Sequence, residues 1–173
     1  MSRVLLILIF ILYSHLNAYE SEDQIKAVIV GKVAKFIKWE DKQSENFVIT
    51  ILNNPFEKLF ENIYKDKKIH SKNVEIKYID NIDDLSFTNI LYIPKMNTEK
   101  LKQILKKIEN KNILTISDMR NFAIKGGIIQ VNFHSQLAKL KINLAGASKE
   151  NLQIKASLLS ISDVINGEDH EIN

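Results

Sequence analysis

Cysteine is absent from all 173 residues, which excludes disulfides, thiol catalysis and cysteine-based zinc sites. Proline occurs twice and glycine five times, too rarely for a long flexible linker or a disordered chain. A large excess of one charge is also missing. The 24 Lys and Arg against 21 Asp and Glu leave a formal net charge of +3, a mild lysine excess rather than a nucleic-acid footprint. No G-x-G-x-x-G, Walker or G-x-S-x-G spacing occurs anywhere, which removes the usual signatures of phosphate-binding loops and nucleophile elbows. What remains is an ordinary globular composition, 45% hydrophobic and 26% charged. At this length one domain buries roughly two thirds of its unfolded surface.

The unbroken apolar run from Val4 to Tyr13 is about half as long as a membrane-spanning helix requires. Met1-Ser2-Arg3 precedes it and Leu16-Asn17-Ala18 follows, ending in a small residue. This is the layout of a secretory signal peptide, with an uncleaved anchor as the alternative. Cleavage after Ala18 removes one base, Arg3, so the formal charge falls from +3 to +2. Residues 19–173 then form a single secreted α/β domain. With no cysteine beside the cleavage point, lipoprotein processing is excluded.

Helical period from Asp23 to Trp39, behind a Ser21/Gln24 capping box, predicts a first helix. Ile25, Val28, Ile29, Val33, Phe36 and Ile37 make its buried stripe, with Lys26, Lys32, Lys35 and Lys38 off it. Phe47–Leu52 reads as a strand buried on both faces. Asn54 then caps a helix with Pro55 at its first position, and Phe56, Leu59, Phe60 and Ile63 face inward. The basic stretch Lys65 to Lys72 reads as solvated surface. Val74–Tyr78 and Asn89–Pro94 are further strands, followed by a helix from Thr98 to Glu109.

The stretch from Ile113 to Phe133 organises the rest. Ile113–Ile116 is a core strand, Ser117-Asp118 marks its exit from the sheet, and Gly126-Gly127 opens a second strand to Phe133. Paired glycines before an apolar strand signal backbone geometry or close approach. Lys139–Leu144 completes an antiparallel hairpin with that strand. A last helix is predicted from Leu152 to Ile165. The order gives a three-layer α/β sandwich on a mixed, mostly parallel sheet with an antiparallel edge hairpin.

No catalytic set assembles. His70, His134 and His170 lack partners at i+4 and any local carboxylate cluster, so neither a metal nor a cofactor is expected. In open α/β sheets, ligands bind beyond the carboxyl ends of the strands. That edge offers Asn53, Asn54, Ser117 and Asp118 as ligand-binding candidates, each of which also has a plain reading in capping or turn formation. Asn143, polar between Ile142 and Leu144, either satisfies a neighbouring backbone group or reaches the same cleft.

Several segments together resemble the YfiR family of periplasmic regulators (YfiR/HmsC-like). They are Lys26-Ala27, Ala34 to Trp39, Ile51-Leu52 with Asn54-Pro55-Phe56, Ile90 to Ile93, and Leu114 to Asp118. Phe122, Gly126 to Ile129, Ile142 to Ala145, and Leu152 with Ser157-Leu158-Leu159 complete the set. The similarity spans about residues 24 to 165. The chain departs from the family at Asn53, where a glycine is usual, and at Glu40, where a proline is usual. Cysteines found in some members are absent, so redox control through them cannot operate here.

The resemblance implies a non-enzymatic regulator, acting as a homodimer and contacting the periplasmic sensor domain of an inner-membrane diguanylate cyclase. Such contact would restrain cyclic di-GMP synthesis and biofilm formation. Lys35, Phe36 and Trp39 at the end of the first helix are the expected partner-binding residues, with burial of Phe36 and Trp39 in the core as the competing reading. A periplasmic small-ligand-binding module is the alternative function.

Overall fold

Three apolar runs form the centre of the sheet because both of their faces are covered. Phe47–Leu52, Ile90–Ile93 and Ile113–Ser117 contain no exposed residue. The computed structural model describes residues 21–39, 44–134 and 137–167. The expected leader and its cleavage point, Glu40, His170 and most of the polar tail lie outside the described residues.

In chain order the elements are α1 (Glu22–Ala34), β1 (Ile37–Lys38), β2 (Asn46–Leu52), α2 (Leu59–Tyr64), β3 (Lys68–Ile69) and β4 (Lys72–Ile79). A 3-10 turn at Ile82–Asp84 leads to β5 (Ile90–Tyr92), α3 (Thr98–Lys107), β6 (Leu114–Ser117), β7 (Ile129–His134) and β8 (Leu137–Asn143). Then come α4 (Leu144–Lys149), β9 (Gln153–Ile154), α5 (Ala156–Leu159) and β10 (Asp163–Ile165).

The large sheet runs β10-β8-β7-β6-β5-β2-β4-β3. Its pairing is parallel except at β7–β8 and β3–β4. The expected hairpin is present, and β10 lies outside it, parallel to β8. Alternate strand residues feed two cores. Ile49, Ile51, Ile90, Tyr92, Leu114 and Ile116 pack with Ala27, Val30, Ala34 and Phe60 on the α1/α2 side. Leu52, Leu91, Ile93 and Ile113 pack with Leu101, Ile104, Ile108 and Phe122 on the α3 side. The domain is thus a three-layer α/β sandwich.

Four expectations need correction. The first helix stops at Ala34 rather than Trp39. Ile37–Lys38 leaves it to pair antiparallel with Ile154 and Gln153, and the Lys155 amide donates to the Phe36 carbonyl at 2.9 Å. Its buried face is also turned from the expected one: Lys26, Ala27, Val30, Gly31, Val33 and Ala34 are buried. Small residues let α1 lie close to its neighbours, and Ile25, Val28 and Ile29 fall to its margin.

The second helix begins at Leu59, not after Asn54. The Asn54 amide instead closes a turn, accepting from the Phe56 N–H and donating to the Glu57 carbonyl. Glu57 sits at φ 51°, outside the helical region. Finally, the segment after β8 is not one helix from Leu152 to Ile165. Asn143 caps α4 by accepting from the Gly146 N–H at 2.9 Å, and Asn151 in the left-handed region (φ 51°) ends it. The remainder is spent on β9, α5 and β10.

One contact fixes α1 against α2. The Tyr64 hydroxyl donates to the Ala27 carbonyl at 2.5 Å and accepts from the Gly31 N–H at 2.6 Å. Those two backbone groups are the pair an i→i−4 helical bond would join, so a side chain is inserted into the ladder. Only glycine leaves room for it, because a Cβ on Gly31 would lie 2.5 Å from the hydroxyl oxygen and 2.6 Å from a ring carbon. Gly31→Ala is therefore expected to destabilise by about 2–3 kcal/mol through overpacking, despite alanine's better helix propensity. Urea titration measures it. A variant as stable as wild type would mean that Tyr64 moves out freely.

Candidate functional site

At the carboxyl edge of the sheet, β6 ends in Ser117 and turns. The buried Ser117 hydroxyl accepts from the Met119 N–H at 3.0 Å, which is turn chemistry rather than an activated nucleophile. Asp118 then points back over the strand ends. Its Oδ1 accepts from the Tyr92 hydroxyl at 3.1 Å, at the end of β5. Its Oδ2 lies 3.0 Å from Lys26 Nζ and 3.4 Å from Lys95 Nζ.

Lys26 comes from the buried face of α1. Its ammonium also reaches Asp23 Oδ1, one turn back, at 2.9 Å, and lies 5.6 Å from the Phe133 ring centroid. The Lys26 and Asp118 side chains are only 11% and 10% exposed. A cleft of about 510 Å3 opens beside them, bordered by Glu22, Lys95, Asp118, Arg120, Asn132 and Phe133 among others.

The electrostatics follow from this geometry. Burial alone would push Asp118 up. The Lys26 hydrogen bond and charge, with Lys95 and the Tyr92 hydroxyl, outweigh it and hold the carboxyl below its ordinary value of 3.8. Burial likewise works to lower Lys26, but Asp23 and Asp118 raise it above 10.5. Burial, reinforced by the Asp118 carboxylate, keeps the Tyr92 hydroxyl protonated far above its usual range. A carboxylate with a lowered pKa and three donors around it is a poor proton acceptor. The cluster is suited to holding α1 on the strand ends and to presenting fixed charge.

Of the five expected ligand residues, Asp118 borders this cleft, and Ser117 sits just behind it. Asn53 is exposed in the left-handed region (φ 54°), its N–H donating to the Ile79 carbonyl, and Asn54 closes the turn after it. Asn143 is 2% exposed. Its amide bridges the Ala123 carbonyl and the Gly146 N–H, so it satisfies backbone groups and does not reach the cleft. Lys26 was missed in the sequence, where it reads as one more solvated lysine. The only local signal is Asp23 at i−3.

The expected contact residues lie at the opposite end of α1. Lys35 caps the helix and is exposed, and its carbonyl accepts from Lys155 Nζ at 3.2 Å. Phe36 is half-buried against the main core. Trp39 is also half-buried. Its ring stands edge-on to Phe47 at 5.3 Å and to His70 at 5.8 Å, while His70 Nε2 lies 2.9 Å from the Ala34 carbonyl that ends α1. The indole Nε1 is buried without a hydrogen-bond partner, alone in this among the side-chain atoms of the described residues. Lys35 is thus the outward-facing member of the three. Phe36 and Trp39 contribute mainly packing.

Among the described residues, no group of three His, Cys, Asp or Glu side chains is placed to hold a metal. Nor is any helix there long and apolar enough to cross a membrane. No curated protein matches the chain. A crystal structure of a conserved domain protein from Vibrio cholerae O1 biovar El Tor str. N16961 superposes with a TM-score of 0.54 at 11% identity. The match covers 83% of this chain and 60% of that one, so the present chain spans about 60% of its length, and at this identity the likeness is one of fold. The sequence pattern of the YfiR/HmsC-like family matches residues 23–163. That match runs from α1 into β10, and the chain belongs to the YfiR/HmsC-like family.

Proposed function

We propose that this protein is a non-enzymatic periplasmic regulator that restrains a membrane-bound diguanylate cyclase by contacting its periplasmic sensor domain. The observation that carries this reading is the family match across residues 23–163. The Asp118 carboxylate, held in its charged form by Lys26, Lys95 and the Tyr92 hydroxyl, fits a binding role. The contact surface centres on the end of α1, with exposed Lys35 in the interface and Phe36 and Trp39 supporting it from beneath. The regulator acts as a dimer.

Lys35→Glu tests this. The residue is exposed and its ammonium forms no ion pair among the described residues, so stability should stay within about 0.5 kcal/mol of wild type. The variant should lose capture of the cyclase sensor domain in pull-down and raise cellular cyclic di-GMP, since a misplaced charge in an interface costs several kcal/mol. Trp39→Ala is the contrasting variant and should lose stability through its contacts with Phe47 and His70. Normal capture and repression by folded Lys35→Glu would move the contact surface elsewhere.

A second reading, a small-ligand-binding module, is favoured by the charged cleft beside Asp118. It predicts a ligand-specific rise in melting temperature that Lys95→Ala removes. A panel of small zwitterions that all leave the melting temperature unchanged would count against it.

A further inference from the structure

The close approach of α1 and α2, set by the Tyr64 insertion at Gly31, leaves a trench along their outer side. Its floor is apolar, built by Val28, Ile63, the Tyr64 ring and Ile69, and its volume is about 180 Å3. Four exposed lysines rim it: Lys32 and Lys35 from α1, Lys67 and Lys68 from the chain entering β3. Among the described residues none of the four forms an ion pair, and no acidic side chain lines the trench, whereas the cleft bordered by Lys102, Lys106, Lys125 and Lys149 also carries Glu109 and Glu150. Against a whole-chain net charge of +3, four uncompensated charges on one rim are a marked concentration. They repel one another unless an anionic partner lies among them.

We infer that this trench is the docking groove for an acidic amphipathic helix of the protein partner, whose apolar residue fills the floor while its carboxylates meet the four lysines. The inference rests on the contact reading above and names the chemistry of the partner's element. The volume is below the roughly 300–1,000 Å3 of pockets for drug-sized ligands, but suits one anchoring side chain. A bilayer surface fits less well, because insertion needs protruding apolar groups. Among the described residues the exposed large ones, Phe87, Leu137, Ile161 and Val164, lie away from α1 and α2. An apolar trench between two helices with charged banks is the form that receives one apolar anchor of an amphipathic helix whose acidic residues lie along the banks.

The probe is a labelled helical peptide with one central leucine anchor and glutamates on its flanks, read by fluorescence anisotropy. Wild type should bind it, with affinity falling as salt rises. Lys32→Glu/Lys67→Glu, both exposed, should fold normally and bind at least about tenfold more weakly, and the same peptide with lysines for glutamates should bind this variant better than wild type. Val28→Asn should weaken binding of the glutamate peptide without changing its salt dependence. Equal binding of both peptides by wild type would overturn the inference. So would sedimentation with anionic phosphatidylglycerol vesicles, or salt-sensitive self-association, in a protein that ignores the peptide. The two readings fail separately. If peptide binding follows the lysines but cyclase capture survives their reversal, the groove stands and the regulatory contact falls. If Lys35→Glu abolishes capture while the peptide never binds, the contact stands and the groove falls.

Discussion

Gly127→Ala is expected to cost at least about 3 kcal/mol, the range reached when a core is forced to accept an atom it has no room for. A Cβ at this position would lie 2.2, 2.4 and 2.5 Å from three carbons of the Phe122 ring. The ring has no exposed surface and is enclosed by the second core with Leu101, Ile104 and Ile108. It is also tied to the glycine through the backbone, since the Gly127 N–H donates to the Phe122 carbonyl at 3.0 Å. Moving the ring therefore means moving the whole 119–127 segment off α3. Chemical denaturation of Gly127→Ala, Phe122→Leu and the double variant gives the decisive comparison. Phe122→Leu opens space, so adding Gly127→Ala to it should cost clearly less than in wild type, with a coupling of about 1–3 kcal/mol. An additive pair, or a single variant within about 0.5 kcal/mol of wild type, would show that the segment yields.

That position also shows what the sequence discloses. The Gly126-Gly127 pair signals either backbone geometry or close approach, and the two residues divide the roles. Gly126 takes the left-handed backbone at φ 98°, while Gly127 makes room for an aromatic ring five residues earlier. The central strands were legible because β-branched runs buried on both faces have few other uses. The β7–β8 hairpin was legible from its alternating pattern. The ends of the chain were not. Apolar residues lie nearly all round α1, so periodicity alone does not select its buried face. Lys26 is inside only because Asp118 waits for it, 92 residues later in the chain. From Leu152 onward, Ala156 and Leu159 keep helical spacing, yet Asn151 and the pairing with Ile37 break the segment up. The candidate site follows the same division. Asp118 could be placed at the carboxyl edge from the strand pattern, and for Asn143 the sequence left open the backbone-satisfying role that it takes. The lysines that turn a trench and a cleft into charged surfaces come from separate elements, and no local window joins them.

The second large effect concerns Asp118, the strand-end carboxylate that holds α1. Asp118→Ala should destabilise by about 3 kcal/mol at neutral pH, near the lower end for removing one partner of a buried ion pair. Lys26 would stay buried, and Asp23 would still pair with it from one side, which keeps the loss from being larger. Replacing both charges, as Lys26→Met/Asp118→Leu, should recover most of that loss, because a packed apolar pair avoids the desolvation that the ions bear. The pH dependence carries its own sign. Asp118 is held below 3.8 in the folded protein, so its contribution is present above the unfolded value and lost as pH falls through the lower folded one. Lys26 is held above 10.5, so its contribution is present below that value and lost as pH rises through the higher folded one. The gap in unfolding free energy between wild type and Asp118→Ala should therefore stay level across the neutral range and close only in strong acid, with a further fall at strongly alkaline pH where Lys26 discharges. Urea titrations at several pH values measure the gap directly. A gap that narrowed between neutral pH and pH 5 would place the titration of Asp118 above its ordinary value, and the Lys26–Asp118 pair would not be what fastens the first helix to the strand ends.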